Sequence, residues 1–279
     1  MSLRQLPFAF ATLLAIFHFA APLPAAEGMQ YPLAVAADKA GTVFIADRDL
    51  PGVWKFADGK LSVYFQGSKK FRTPLNAVRC LAIDRDGKLL AGDSATREVY
   101  RFDDAAQPQP LTKGNIGIPM CLAVAADGAI YASDLEIQRI VRIPAAGGEP
   151  EIVAELAAVR GMAFDSDGRL WAANHGQDAI VRFSLDFQQR EVVVAGQPFQ
   201  FSHHLVFAGD GTPYIADGYA KAIWKIVGDK PQPLVQGEPL KNPVGLAWSE
   251  PHGLLVADPH QKALFRVTTE GTIARMVPP

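Results

Sequence analysis

The hydrophobic positions of this chain recur in short alternating runs rather than in helical stripes. One run, ending in an acid or amide, appears six times: Phe44-Ile45-Ala46-Asp47, Leu90-Ala91-Gly92-Asp93, Tyr131-Ala132-Ser133-Asp134, Trp171-Ala172-Ala173-Asn174, Tyr214-Ile215-Ala216-Asp217 and Leu255-Val256-Ala257-Asp258. The final residues of these runs are spaced 46, 41, 40, 43 and 41 apart. Each run has a partner upstream: Leu33-Ala34-Val35, Leu81-Ala82-Ile83, Leu122-Ala123-Val124, Met162-Ala163-Phe164, Leu205-Val206-Phe207 and Leu246-Ala247-Trp248. Alternation of large and small residues with period two predicts strands buried on both faces, the small residues letting a neighbouring sheet come close.

Between partner runs, four repeats carry Asp-Gly (Asp86-Gly87, Asp127-Gly128, Asp167-Gly168, Asp210-Gly211), a pair suited to a tight type I′ hairpin; the first and last repeats turn through Gly41 and Gly253. A third strand with an inner Lys or Arg follows each acid, as in Val53-Trp54-Lys55-Phe56 and Ile180-Val181-Arg182-Phe183. A weaker fourth closes the unit, as in Leu61-Ser62-Val63-Tyr64-Phe65 and Glu191-Val192-Val193-Val194. Four antiparallel strands repeated six times, with no helical segment between them, predict an all-β fold, a six-bladed β-propeller.

These runs resemble the NHL repeat, whose pattern is a strand, Asp-x-x-Gly, a strand ending in Ala-Asp, and a strand carrying Arg before a final apolar residue. The resemblance extends from Gln30 to Val277 and brings gluconolactonase-like and TolB-like propeller relatives with it. It implies architecture more than activity, because that superfamily holds hydrolases, lyases, sensor domains and plain binding propellers.

Composition narrows the field. Hydrophobic residues at 49% and charged ones at 20% suit an ordinary globular domain, and a net charge of −2 provides no whole-molecule attraction for nucleic acid or an anionic membrane. Two cysteines, Cys80 and Cys121, exclude a disulfide-dense scaffold. They stand at equivalent places in blades two and three, as either a disulfide or two small buried thiols. The N-terminus carries Arg4, an apolar run from Leu6 to Ala21 and small residues up to Ala26, the pattern of a signal peptide over residues 1–26 with the propeller on 27–279. An uncleaved anchor over Gln5 to Ala26 is the alternative. The expected location is periplasmic or secreted.

A residue type shared by all six repeats serves the blade. Lys55, Arg101, Arg142, Arg182, Lys225 and Arg266 are therefore read as structural, laying their stems on a neighbouring blade or pairing with turn acids. Asp47, Asp93, Asp134, Asp217, Asp258 and Asn174 are read as caps on the amides of the turn that follows. Differences between blades mark site candidates. Tyr31, Arg79, Met120, Arg160, His203 and Val244 precede the inner strands and are expected to ring the channel entrance. Arg48, Glu136, His175, Tyr219 and His260 follow the strand-two acids on the same rim, joined by Lys69-Lys70-Phe71-Arg72 and by Phe199 and Phe201.

The ligand-binding candidates are thus Arg48, Arg79, Arg160, His175, His203, Tyr219 and His260, with Arg79 and Arg160 as bidentate donors to an anion and aromatic groups as walls. The competing reading has both arginines satisfying backbone carbonyls or turn acids. Adjacent residues of a strand face opposite ways, so His203 and His204 do not share one metal. The resemblance to gluconolactonase-like propellers implies a Glu, Asn and Asp metal set at the inner-strand starts, which this sequence lacks. The amidating-lyase resemblance rests on Asp217-Gly218-Tyr219, with only His203 matching its zinc histidines. The expectation is a monomeric binding module for a small anionic ligand or a protein partner, without cofactor or metal, binding neither nucleic acid nor, once the signal is removed, a membrane. A propeller lyase or hydrolase at the channel mouth is the alternative.

Overall fold

The computed structural model describes residues 28–70 and 72–277; the signal-peptide reading of residues 1–26 and Phe71 of the rim lie outside them. Six four-stranded sheets follow one another, each with its strands side by side in chain order. Blade one comprises Pro32–Ala37, Val43–Asp47, Gly52–Ala57 and Lys60–Gln66. The inner strands of blades two to six are Val78–Ile83, Pro119–Val124, Val159–Phe164, Ser202–Phe207 and Gly245–Ser249. Each inner strand touches those of the two flanking blades, the sixth against the first, so the six enclose a central channel. No helix among the described residues is long and apolar enough to cross a membrane.

Hydrophobic burial is organised between blades. Six clusters form, one at each seam, and the second strands feed both sides of their sheet into them. Ile45, Leu90, Ile130, Ile215 and Leu255 expose no surface, and each such burial stabilises by about 1.5–3 kcal/mol. The seam between blades one and six joins the two ends of the described chain: Met29 and Val277 share a cluster with Ile45 and Leu255. His252 Nε2 meets the Gly41 carbonyl at 3.0 Å, and Lys262 Nζ donates to Gln30 Oε1 at 2.8 Å. Closure therefore comes from face-to-face packing, with each blade complete from its own stretch of chain.

The Asp-Gly turns differ from the expected type I′ form, in which both central residues have positive φ. Gly87, Gly128, Gly168 and Gly211 have φ of 78°, 85°, 78° and 83°, while none of the preceding aspartates does. Gly87 N–H donates to the Asp84 carbonyl at 3.1 Å, and Asp84 N–H to the Lys88 carbonyl at 2.9 Å. This is a type I turn followed by a left-handed glycine, one residue longer than the I′ loop. Side chains fasten it, since Asp84 Oδ1 accepts from the amides of Asp86 and Lys88. Third-strand arginines close over the same turns, Arg101 paired with Asp84 and Arg142 with Asp127, while Arg182 pairs with Glu191 of the fourth strand.

The strand-two acids bind more than the following turn. Asp47 accepts from the Asp49 amide at 2.9 Å and also from the amides of Gln30 and Tyr31, at 2.7 and 2.9 Å, where the chain enters its inner strand. Asp93, Asp134, Asp217 and Asp258 repeat this double grip. Each is buried, and a buried carboxylate is stable only when amide donors replace its water. Asn174 is the exception: Oδ1 accepts from the Gly176 amide at 2.7 Å, while Nδ2 is buried without a partner.

Blade four should therefore be the blade that can be improved. Asn174→Asp is expected to restore the second grip and raise the calorimetric melting temperature by about 2–4 °C, the effect of roughly 1 kcal/mol in a domain of this size. Asp217→Ala, which strands three amide donors at about 1–3 kcal/mol each, is expected to lower it by roughly 6 °C or more.

Candidate functional site at the channel mouth

A β-bulge places the side chains at the channel mouth. The inner strands of blades one to five each skip one residue in the ladder, and the skipped residues are Leu33, Arg79, Met120, Arg160 and His203. In blade six Val244 holds the equivalent place, its amide bonded to the Ala257 carbonyl at 3.0 Å. A bulged residue is freed from the pleat and can be re-aimed. These six side chains, with Ala34 and His204, line a cavity of about 140 Å³.

Blade one departs from expectation here. The ladder sets Pro32 opposite Asp47 as it sets Val78 opposite Asp93, so the counterpart of Arg79 is Leu33 rather than Tyr31. Tyr31 lies instead at the seam of blades one and six, with the Arg48 guanidinium 3.7 Å from its ring centroid and His260 edge-on at 6.1 Å. Arg48 and His260 thus form a separate rim cluster and do not line the mouth. Phe199 is not a rim residue either; it is buried and packs against Trp224 at 6.0 Å.

One step further along each inner strand lie Ala34, Cys80, Cys121, Gly161, His204 and Gly245, paired with Ala46, Gly92, Ser133, Ala173, Ala216 and Ala257. Inner strands approach closely at this level: a Cβ on Gly161 would stand 2.5 Å from the Leu205 amide nitrogen, and one on Gly245 2.9 Å from the Leu33 carbonyl. His204 is the one large residue there. Its Nε2 lies 3.7 Å from Cys121 Sγ, and Nδ1 is buried without a partner. It borders both the mouth cavity and a second cavity of about 300 Å³ on the far side, so it forms a floor between them. Cys80 and Cys121 are free and buried, and burial pushes the Cys121 thiol up to about 12.

The mouth is cationic and holds no acid. Arg79 donates from Nε to Ser94 Oγ at 3.1 Å. The Arg160 guanidinium lies 4.9 Å from the Phe201 ring centroid and has no ion pair among the described residues. Burial holds Arg160 below its ordinary value; Tyr219 opposes this shift and the charge of Arg79 adds to it. Phe201 anchors the flank: His175, His203 and Tyr219 pack around it with ring centroids at 4.4, 4.8 and 4.8 Å, and Tyr219 remains 66% exposed. His175 Nε2 lies 2.8 Å from the Ser202 carbonyl, which requires the proton on that nitrogen. Burial, with the charge of Arg160 and the two neighbouring histidines, lowers His203 to about 3, so it stays neutral.

The divalent metal implied by the gluconolactonase-like resemblance does not fit these side chains. The six mouth positions supply two guanidiniums, one imidazole and three apolar groups, and no hard oxygen donor. Among the described residues no group of three or more His, Cys, Asp and Glu could hold a metal ion.

Residues 20–212 match the family described as the SMP-30/gluconolactonase/LRE-like region. The chain belongs to that family. Similar solved structures extend the likeness to the rest of this SMP-30/gluconolactonase-like chain. XC5397, a gluconolactonase from Xanthomonas campestris, is 18% identical with a TM-score of 0.70, covering 83% of this chain and 84% of its own. Virginiamycin B lyase from Staphylococcus aureus is 18% identical with a TM-score of 0.67, covering 92% and 87%. A chain of the nidogen/laminin complex is 15% identical with a TM-score of 0.69, covering 88% and 93%. At these identities the likeness is one of fold. No curated protein sequence matches the chain.

His203 and His204 are expected to make the family member acid-sensitive. Their folded values, about 3 and about 4, lie below the ordinary 6.5, so between these limits the unfolded chain binds more protons. Stability is complete above pH 6.5 and falls as the pH drops below it. Denaturant titrations at pH 7 and pH 5 are expected to differ by up to about 2 kcal/mol per histidine. The difference should shrink in His203→Gln and in His204→Gln.

Proposed function

We propose that this family member works outside the cytoplasm as a binding propeller, holding a small anionic ligand at the channel mouth between Arg79 and Arg160. One observation carries the reading: two guanidiniums share a partly enclosed cavity that contains no carboxylate. Two guanidiniums facing one cavity, Arg79 exposed and Arg160 half-buried, favour the arrival of an anion, and their donors match carboxylate or phosphate oxygens. Neutral His203 adds a hydrogen-bonding group, and the Phe201 stack keeps Arg160 in place. Export is supported by Arg4 and the apolar run from Leu6 to Ala21.

A lyase or hydrolase role draws support from the names of the gluconolactonase and virginiamycin B lyase structures that the fold resembles. Acid–base chemistry needs a titratable group in hydrogen-bond reach of a second polar side chain. Among the described residues His203 makes no hydrogen bond to a second side chain, and His175 is bonded to a backbone carbonyl. The geometry therefore favours binding.

Calorimetric titration with acetate and inorganic phosphate tests this reading. At least one anion should bind, and Arg79→Ala and Arg160→Ala should each weaken it by about ten- to a hundredfold, the loss of a charge-assisted hydrogen bond. Both variants should melt within about 2 °C of the parent. Undiminished affinity in the double variant would remove the arginines from the site.

A further inference from the structure

The six mouth positions are not evenly polar, and the division gives the ligand a shape. Arg79, Arg160 and His203 stand on blades two, four and five. Leu33 and Val244 stand on the adjacent blades one and six, and Met120 sits on blade three between the arginines. One side of the mouth thus offers donors, and the opposite side offers only aliphatic surface. The cavity of about 140 Å³ is close to the engineered apolar cavity of roughly 150 Å³ that takes benzene, a molecule of six heavy atoms.

We infer that the ligand is a compact aliphatic monocarboxylate of about six heavy atoms, its carboxylate on Arg79 and Arg160 and its branched carbon body against Leu33 and Val244. This rests on the anion-binding reading above and narrows it. A polyhydroxylated sugar acid fits poorly, because its hydroxyls would turn toward Leu33, Met120 and Val244, which neither donate nor accept, and unpaired buried hydroxyls are costly. The eight residues that line the cavity include no carboxylate, hydroxyl or amide to receive them. Neutral His203, beside Gly218 and the Asn242 side chain, adds a hydrogen-bonding group to the donor side without adding a third charge.

The experiment is calorimetric titration of the full protein with acetate, isobutyrate, gluconate and inorganic phosphate. Isobutyrate is expected to bind about tenfold tighter than acetate, from two added carbons at up to about fourfold each, and tighter than gluconate and phosphate. Val244→Ser should erase most of that advantage, weakening isobutyrate several-fold more than acetate. Met120→Gln, on a half-buried position less demanding of the fold, should reduce it too. Equal affinity for acetate and isobutyrate, or tighter binding of gluconate or phosphate, overturns the aliphatic wall. If those anions still depend on Arg79 and Arg160, the broader anion reading stands. If none of the four binds, both readings fail.

Discussion

The grip of a buried acid on two stretches of backbone organises every level of this propeller. In five blades the carboxylate ending the second strand takes amide protons from the turn ahead and from the chain entering the inner strand. An amide donor facing a buried oxygen has no water to compete with, so the contact sets the position of the entering chain closely. The residue two places beyond that entry stands at the mouth. Scaffold and site are therefore coupled through the same carboxylates, and the blade lacking one, at Asn174, is the blade that carries Arg160.

The seams supply the second constraint. Because the hydrophobic clusters lie between blades, no blade can bury its faces alone, and the sixth seam has to form for the first and last blades to be stable. Close approach at the inner ring requires small residues such as Gly161 and Gly245. His204 stands where its neighbours are small and reaches Cys121, leaving one nitrogen buried and unpaired and the channel divided. Its position beside the mouth links the tightest packing of the ring to the floor of the candidate site.

Membership of a family whose name includes gluconolactonase does not carry that chemistry to this chain. The mouth keeps the fold's concave, loop-bearing position and changes its side chains: guanidiniums and aliphatic groups stand where a metal site would need oxygen donors. A rigid ring of strands with an inner-strand bulge in five of its six blades allows such replacement, because each mouth residue can change without altering the ladder that presents it.

The repeated runs were enough to read the strands, their order, the six blades and the caps on the turns, because those depend on local alternation and on residue types that recur in register. They also pointed to Arg79, Arg160 and His203, which differ from blade to blade at equivalent places. What the sequence left open is set by contacts between distant segments. The bulge in the blade-one ladder put Leu33 rather than Tyr31 at the mouth. Packing at the blade four and five seam drew Phe199 into the core, and the left-handed glycine lengthened the Asp-Gly turns. Arg48 stacks on Tyr31 within blade one, and His260 of blade six reaches the same ring across the closing seam, a proximity that exists only once the ring has closed. Spacing along the chain determines which residues share a strand; only the closed ring decides which of them face one another across the channel.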